Sequence, residues 1–391
     1  MDFELWWLLA FPAFFALGWI AARIDIKHLV KESRALPRSY FAGLNFLLAE
    51  QPDKAIESFI EATRVDPQTV EIHFALGALF RRRGEADRAI RVHQSLIERD
   101  DLKPEQRLEA LSELGQDYLK AGLLDRAEEV FLKLRESEQH DEAQQFLLEI
   151  YQQEKDWQKA LSIAEQLPDH SSHLWMKQVA NFYCELAASE ITHSNPTAAR
   201  KWLDLALQVN RKCVRANMLL GDVCQLDGQL QAAIEAWKRI EQQDPDYLAQ
   251  VAGRLLEAHR QLGQEAQGYQ LLRGYLQHYP SLDLMDVVFQ SVLQGEGPEA
   301  AYRLVRDELR RNQTLLGLDK LLEAQLMVTP PEKRADLDLV KNLIHTHTRR
   351  VARYSCHDCG FKARQFYWRC PACGGWETYP PKRTEEFDLA P

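Results

Sequence analysis

The residues best suited to chemistry are four cysteines in two C-x₂-C pairs near the end of the chain, each pair followed by glycine. Each such loop is a knuckle, in which the glycine lets backbone N–H groups turn toward the thiolates. Two knuckles bring four sulfurs into a tetrahedron, which suits zinc or iron. We therefore predict that one metal ion per chain is held by Cys356, Cys359, Cys370 and Cys373.

The segment around these cysteines, residues 354–380, is too short to bury a core of its own. Metal binding would therefore supply its folding free energy, on the order of 10 kcal/mol. Cysteine fills all four coordination positions, so no open position remains for catalysis. A pair of redox dithiols is the alternative, which the duplicated spacing disfavours. The knuckles resemble rubredoxin and zinc-ribbon modules, and their spacing leaves both iron and zinc open.

Small residues recur through the middle of the chain at roughly the 34-residue period of tetratricopeptide repeats. They are Ala55, Ala89, Ala127, Ala160, Ala199, Ala233, Gly268 and Ala300. Two antiparallel helices approach closely only where a side chain is small. The predicted fold class is therefore all-α: a tetratricopeptide-repeat solenoid over residues 36–330, with about eight repeats and a degenerate ninth.

A long apolar run opens the chain, from Phe3 to Ala22, with Glu4 as its only charge. As a helix it would be about 30 Å long, enough to cross a membrane. A cleaved signal peptide would need a basic start, whereas this start is acidic. Basic residues follow the run from Arg23 onward, which predicts that the remainder lies on the cytoplasmic side. We predict a single-pass anchor over residues 1–22 and a basic linker over 23–35.

The chain after the repeats divides into three predicted segments. Apolar residues at helical spacing predict a last helix from about Ala335 to Arg353, within a capping segment at 331–353. The metal module at 354–380 and a tail at 381–391 follow. Basic and aromatic residues are interleaved in this region, which would allow binding of single-stranded RNA or a position near anionic lipid. The net charge of −10 argues against wholesale nucleic-acid binding, and we favour packing of this region onto the repeats.

The first helix of each tetratricopeptide hairpin lines a concave groove, and its inward face is predictable from the position within the repeat. Long or polar side chains at these positions suit hydrogen bonding to a peptide. A merely solvated inner wall is the alternative. The predicted partner groove consists of Arg81, Gln116, Gln145, Asn181, Asp222 and Arg260. The sequence has no phosphate loop, nucleophile elbow or zinc-protease motif, which predicts a binding protein rather than an enzyme.

The order of these parts resembles the lipopolysaccharide assembly protein B family over essentially the full length. The resemblance implies a regulator at the cytoplasmic face of the Gram-negative inner membrane, and it carries the four cysteines over as metal ligands. It further implies an adaptor that helps the membrane protease FtsH degrade the LpxC deacetylase, gathers other lipopolysaccharide synthesis and transport proteins, and responds to a membrane sensor partner. A generic membrane-tethered scaffold and an RNA-binding regulator acting through the basic C-terminal module are the alternatives.

Overall fold

The computed structural model describes residues 37–65, 69–137, 140–167 and 172–385 of the 391-residue chain. The chain divides into two compact units, Met1–Glu154 and Lys155–Pro391. The predicted membrane anchor and the basic linker lie outside the described residues. Among the residues that are described, no helix is long and apolar enough to span a membrane.

The first unit consists of helices that pair as antiparallel hairpins, in agreement with the predicted repeats. Its described helices are α1 (Arg38–Leu48), α2 (Pro52–Val65), α3 (Val70–Arg82), α4 (Ala86–Ile97), α5 (Pro104–Lys120), α6 (Leu124–Leu134) and α7 (His140–Glu154). α1 packs on α2, α3 on α4, and α5 on α6. The turns after α3 and α5 contain Gly84 and Gly122, whose φ angles of 79° and 74° favour glycine.

The second unit continues this pattern and adds the metal module at its end. Its described helices are α8 (Trp157–Ala164), α9 (His173–Thr192), α10 (Pro196–Val209), α11 (Val214–Leu226), α12 (Leu230–Lys238), α13 (Ile240–Gln243), α14 (Leu248–Gln261), α15 (Glu265–His278), α16 (Leu282–Gly295), α17 (Pro298–Arg311), α18 (Leu315–Val328) and α19 (Arg334–Val351), with 3-10 turns at Pro245–Tyr247 and Pro331–Lys333. The all-α tetratricopeptide prediction is thereby confirmed for the repeats.

Several hairpins are held at close range by a glycine of the first helix that faces a large ring of the second. The glycine leaves room for the ring, because a Cβ placed there would come within 3 Å of it. The pairs of this kind with a fully buried phenylalanine or tryptophan are Gly43 with Phe59, Gly115 with Phe131, and Gly221 with Trp237. Each ring therefore fills the space that the small residue creates, which is how the repeat pattern becomes a packed core.

We expect Gly221→Ala to destabilise the second unit by about 3 kcal/mol, because a Cβ would lie 2.2 Å from Nε1 of Trp237. The indole cannot move away easily, since it is fully buried and its N–H donates to the Met218 carbonyl at 3.1 Å. Gly253→Ala is the matched control in the neighbouring helix α14, where a Cβ meets nothing within 4 Å. That control should gain about 0.5–1 kcal/mol from helix propensity. Urea unfolding of both variants measures the difference, and equal stability would contradict the packing argument.

The metal module carries a small antiparallel sheet with strand order β2-β1-β3. The strands are β1 (Ala352–Ser355), β2 (Lys362–Ala363) and β3 (Thr384–Glu385). Tyr354 pairs with Ala363, and Arg353 pairs with Thr384. The module therefore extends beyond the expected residues 354–380 on both sides, because the last helix ends at Val351 and the segment expected as a tail returns to pair with β1.

Candidate metal centre and its seat on the repeats

The four predicted metal ligands lie together at the tips of the two knuckles. All four sulfurs lie within 4.8 Å of one another. The Sγ atoms of Cys356 and Cys373 are 3.8 Å apart, and those of Cys359 and Cys370 are 3.7 Å apart. A tetrahedron with metal–sulfur bonds of about 2.3 Å has edges of about 3.8 Å. The spacing therefore fits one tetrahedral thiolate-bound ion, and the four-sulfur donor set suits iron and zinc equally.

Each knuckle is closed by its glycine, and the hydrogen bonds around the sulfurs shift the cysteine pKa values in different directions. Gly360 and Gly374 have φ angles of 71° and 74°, and their N–H groups donate to the carbonyls of Cys356 and Cys370 at 3.0 and 2.9 Å. Burial raises the pKa of Cys356, but hydrogen bonds from the Thr378 hydroxyl and from backbone N–H groups lower it to about 6. A backbone hydrogen bond from Phe361 lowers the pKa of Cys359, but burial and the neighbouring sulfurs raise it to about 12. Metal binding would therefore have to displace protons from part of the quartet.

The second knuckle inserts the side chain of Trp376 into an aromatic pocket of the second unit. Its ring meets Trp157 edge-on at 5.8 Å and Phe182 at 6.1 Å between centroids. Trp157 and Phe182 themselves stack at 5.5 Å. Only 8% of Trp376 is exposed, so the insertion contributes most of a large apolar surface to the contact.

The neighbouring residue, Glu377, places a carboxylate in the same contact. Asn181 Nδ2 donates to Glu377 Oε1 at 2.9 Å, and Lys177 Nζ lies 3.9 Å from Oε2. The Cys213 sulfur lies 4.0 Å from Oε1. Burial raises the pKa of Glu377 above its usual value, although the Asn181 hydrogen bond and the Lys177 charge oppose this shift. The carboxylate therefore depends on these two polar partners for its place in the interior.

A cation lies between the two tryptophans of the module. The Arg215 guanidinium is 5.3 Å from the Trp368 ring and 5.9 Å from the Trp376 ring, distances at which a cation is attracted to an aromatic face. Tyr247 stacks on Trp368 at 5.2 Å. We call the surface formed by Trp157, Lys177, Asn181, Phe182, Arg215 and Tyr247 the module seat.

Two ion pairs close the contact at its far end, in the segment expected as a tail. Arg383 Nε donates to Asp283 Oδ1 at 2.7 Å, and Lys382 Nζ lies 3.6 Å from Asp246 Oδ1. Lys382, Arg383, Trp368 and Trp376 therefore pack on the repeats, as we expected for this region.

Known proteins match both kinds of domain and the chain as a whole. The rubredoxin metal binding domain family matches residues 354–381, and the tetratricopeptide repeat family matches residues 42–104 and 184–247. Lipopolysaccharide assembly protein B of Escherichia coli (strain K12) is 35% identical over 383 residues, covering 97% of this chain and 98% of that protein. The protein of that name from Haemophilus influenzae is 31% identical, covering 98% and 100%. The chain belongs to the lipopolysaccharide assembly protein B family.

Solved structures with helical repeats resemble the chain only distantly. The TPR2AB domain of yeast Sti1, solved in complex with an Hsp90 segment, is 16% identical, with a TM-score of 0.30 over 71% of this chain and 98% of that one.

In this chain, the three predicted groove residues of the first unit differ in their exposure to solvent. Gln145 is exposed and Gln116 is half-buried. Arg81 is only 17% exposed and forms ion pairs with Glu113 at 2.7 Å and with Asp117 at 2.8 Å. An open groove of about 650 Å³ runs over these first helices. It is lined by Arg81, Arg82, Gln116, Leu119, Lys120, Phe146, Glu149 and Gln153.

The three predicted groove residues of the second unit already have neighbours within the chain. Asn181 is fully buried against Glu377 of the module. Arg254 donates to both oxygens of Asp222 at 2.8 Å, and Arg260 is exposed beside Glu257. The structure therefore brings Asn181 to the module rather than to an open groove, because Glu377 of the module packs against this part of helix α9.

Sequence reasoning did not single out Glu377, Trp376 or Arg215 as functional residues. Arg215 could have been identified, since it is the second residue of its predicted repeat, as Asn181 is of its own. Glu377 carried no comparable signal, because its partners lie far away in the sequence. Cys184, Cys213 and Cys224 are buried as expected for packing residues.

Proposed function

We propose that the protein is a non-enzymatic adaptor in lipopolysaccharide assembly, held at the cytoplasmic face of the inner membrane by residues 1–22. The observation that carries the proposal is the match to two lipopolysaccharide assembly proteins over nearly the full length of each. Tetratricopeptide repeats supply surfaces for protein partners. The four-cysteine quartet has no open coordination position, so it serves as a structural metal site.

The finer proposal is that the adaptor brings the LpxC deacetylase to the protease FtsH, together with other lipopolysaccharide-synthesis proteins and a membrane sensor. An anchor would raise the effective concentration of the client at a membrane-bound protease. The open groove of the first unit is the client surface that we favour, since in the second unit the module already occupies Asn181. Its exposed cations, Arg82 and Lys120, lie among the lining residues.

The alternative of an RNA-binding regulator loses support from the geometry of the module. Binding of single-stranded RNA requires aromatic faces on which bases stack. Trp376 is inserted between rings of the repeats, and Trp368 is stacked on Tyr247. These rings are therefore engaged within the protein.

Deletion of the protein should lengthen the LpxC half-life several-fold, as measured by LpxC turnover after a translation block. Wild-type protein should restore turnover, whereas residues 23–391 without the anchor should restore it only in part. Arg82→Glu with Lys120→Glu should also fail to restore it, because the reversed charges face the groove. Arg310→Glu with Arg311→Glu, exposed in the second unit, is the matched control. An unchanged half-life after deletion would favour a scaffold with other clients, and co-purified RNA would favour the RNA regulator.

A further inference from the structure

We propose that the module seat is a recognition site for a partner-protein segment in which an aromatic residue is followed directly by a carboxylate. Trp376 and Glu377 occupy this site as an internal ligand. The inference rests on the proposed adaptor function and deepens it, because it gives the adaptor a second client surface besides the open groove of the first unit.

The composition of the module seat is better suited to recognising a particular ligand than to holding the module in place. The aromatic pocket of Trp157 and Phe182 would by itself hold an apolar side chain. Beside it, Asn181 and Lys177 receive a carboxylate, which loses hydration on entering a buried site. Well-packed apolar residues would hold a domain at least as firmly, whereas a buried polar contact selects for the chemistry of its ligand.

The internal ligand satisfies the seat incompletely. Asn181 is fully buried, and its Oδ1 has no hydrogen-bond partner within the described part of the chain. Glu377 is not that partner in the observed geometry, since its Oε1 accepts from Nδ2 of the same amide. Glu377 also has a φ of 55°, an unfavourable angle for a residue with a side chain. A partner segment free to adopt extended backbone would avoid this strain and could donate an N–H to Oδ1.

The covalent link of the module to the repeats determines when such a partner can bind. A ligand tethered on the same chain acts at an effective concentration of about millimolar. A short free segment would therefore be excluded from the seat in the intact protein. It would enter once the internal pair is withdrawn, so the module limits access to this surface.

The test uses a fluorescein-labelled peptide, Gly-Gly-Trp-Glu-Thr-Tyr, which copies residues 374–379, and the full chain purified in detergent. Trp376→Ala with Glu377→Gly opens the seat, and glycine at position 377 accepts the positive φ. Fluorescence anisotropy should show binding to this variant at least about tenfold tighter than to the wild type. Asn181→Leu, added to the open-seat variant, should abolish the gain, because leucine fills the volume without the amide.

Two peptide controls distinguish specific recognition from non-specific binding. Replacing the peptide's glutamate with glutamine, or its tryptophan with alanine, should weaken binding to the open-seat variant severalfold. Metal content and helical circular dichroism of the variant should match the wild type, and Glu377→Gly alone replaces the double variant if they do not. Equal affinity for wild type and open seat, or indifference to both peptide changes, overturns the proposal. The assay contains neither FtsH nor LpxC, so its failure would leave the LpxC half-life result standing.

Discussion

Replacing Cys359 and Cys373 with serine should remove the bound metal and unfold the C-terminal module. Two sulfurs cannot complete a tetrahedral site, and the metal is expected to contribute on the order of 10 kcal/mol to folding of this segment. Metal analysis should fall from about one ion per chain to near zero. Limited proteolysis should then cut within residues 354–385, while the repeats keep their helical circular dichroism.

Cys224→Ala is the matched control, because Cys224 is a buried cysteine of helix α11 outside the quartet. It should retain a full complement of metal and a protected module. Undiminished metal content in the double-serine variant would show that the quartet is not the binding site. The metal itself follows from the spectrum of the wild type, since ferric tetrathiolate absorbs in the visible range and zinc does not.

The repeats were predictable because their pattern is local and recurs. In several hairpins a small residue meets a bulky ring, so residues such as Gly115 and Phe131 mark the period in the sequence. The four cysteines were predictable for the same reason, since each knuckle is closed by its own glycine. Pairing within one repeat or one knuckle involves residues that lie close together along the chain.

The position of the module was not predictable in this way. Glu377 and Asn181 are 196 residues apart in the sequence, and neither residue belongs to a motif that requires the other. Asn181 has the polar character expected of a groove residue, and it does receive a ligand, but one from its own chain. Composition indicated that the basic, aromatic end of the chain packs on the repeats, whereas the residues that receive it required the structure.

Arg81 lies where the sequence predicted it, but its side chain has a structural role. It lines the groove, but its guanidinium donates a hydrogen bond to Asp117, whose carboxylate is fully buried. Asp117 is also 2.5 Å from Nδ1 of His93, which is fully buried. His93 takes the place that Phe59 and Phe131 occupy in neighbouring repeats. A polar network therefore replaces an apolar ring in this hairpin, and Arg81 closes it.

Arg81→Ala should therefore destabilise the first unit by about 3 kcal/mol or more, because it leaves the buried carboxylate of Asp117 without its guanidinium partner. Burial lowers the pKa of Arg81, but Asp117 and Glu113 raise it above its usual value, so the charge is present at any working pH. Arg82→Ala is the matched control, since this adjacent arginine is exposed and its loss should change stability by less than about 0.5 kcal/mol. Urea unfolding of the two variants shows whether Arg81 stabilises the core or is available to bind clients. Equal stability would mean that Arg81 is free to bind clients rather than committed to the core.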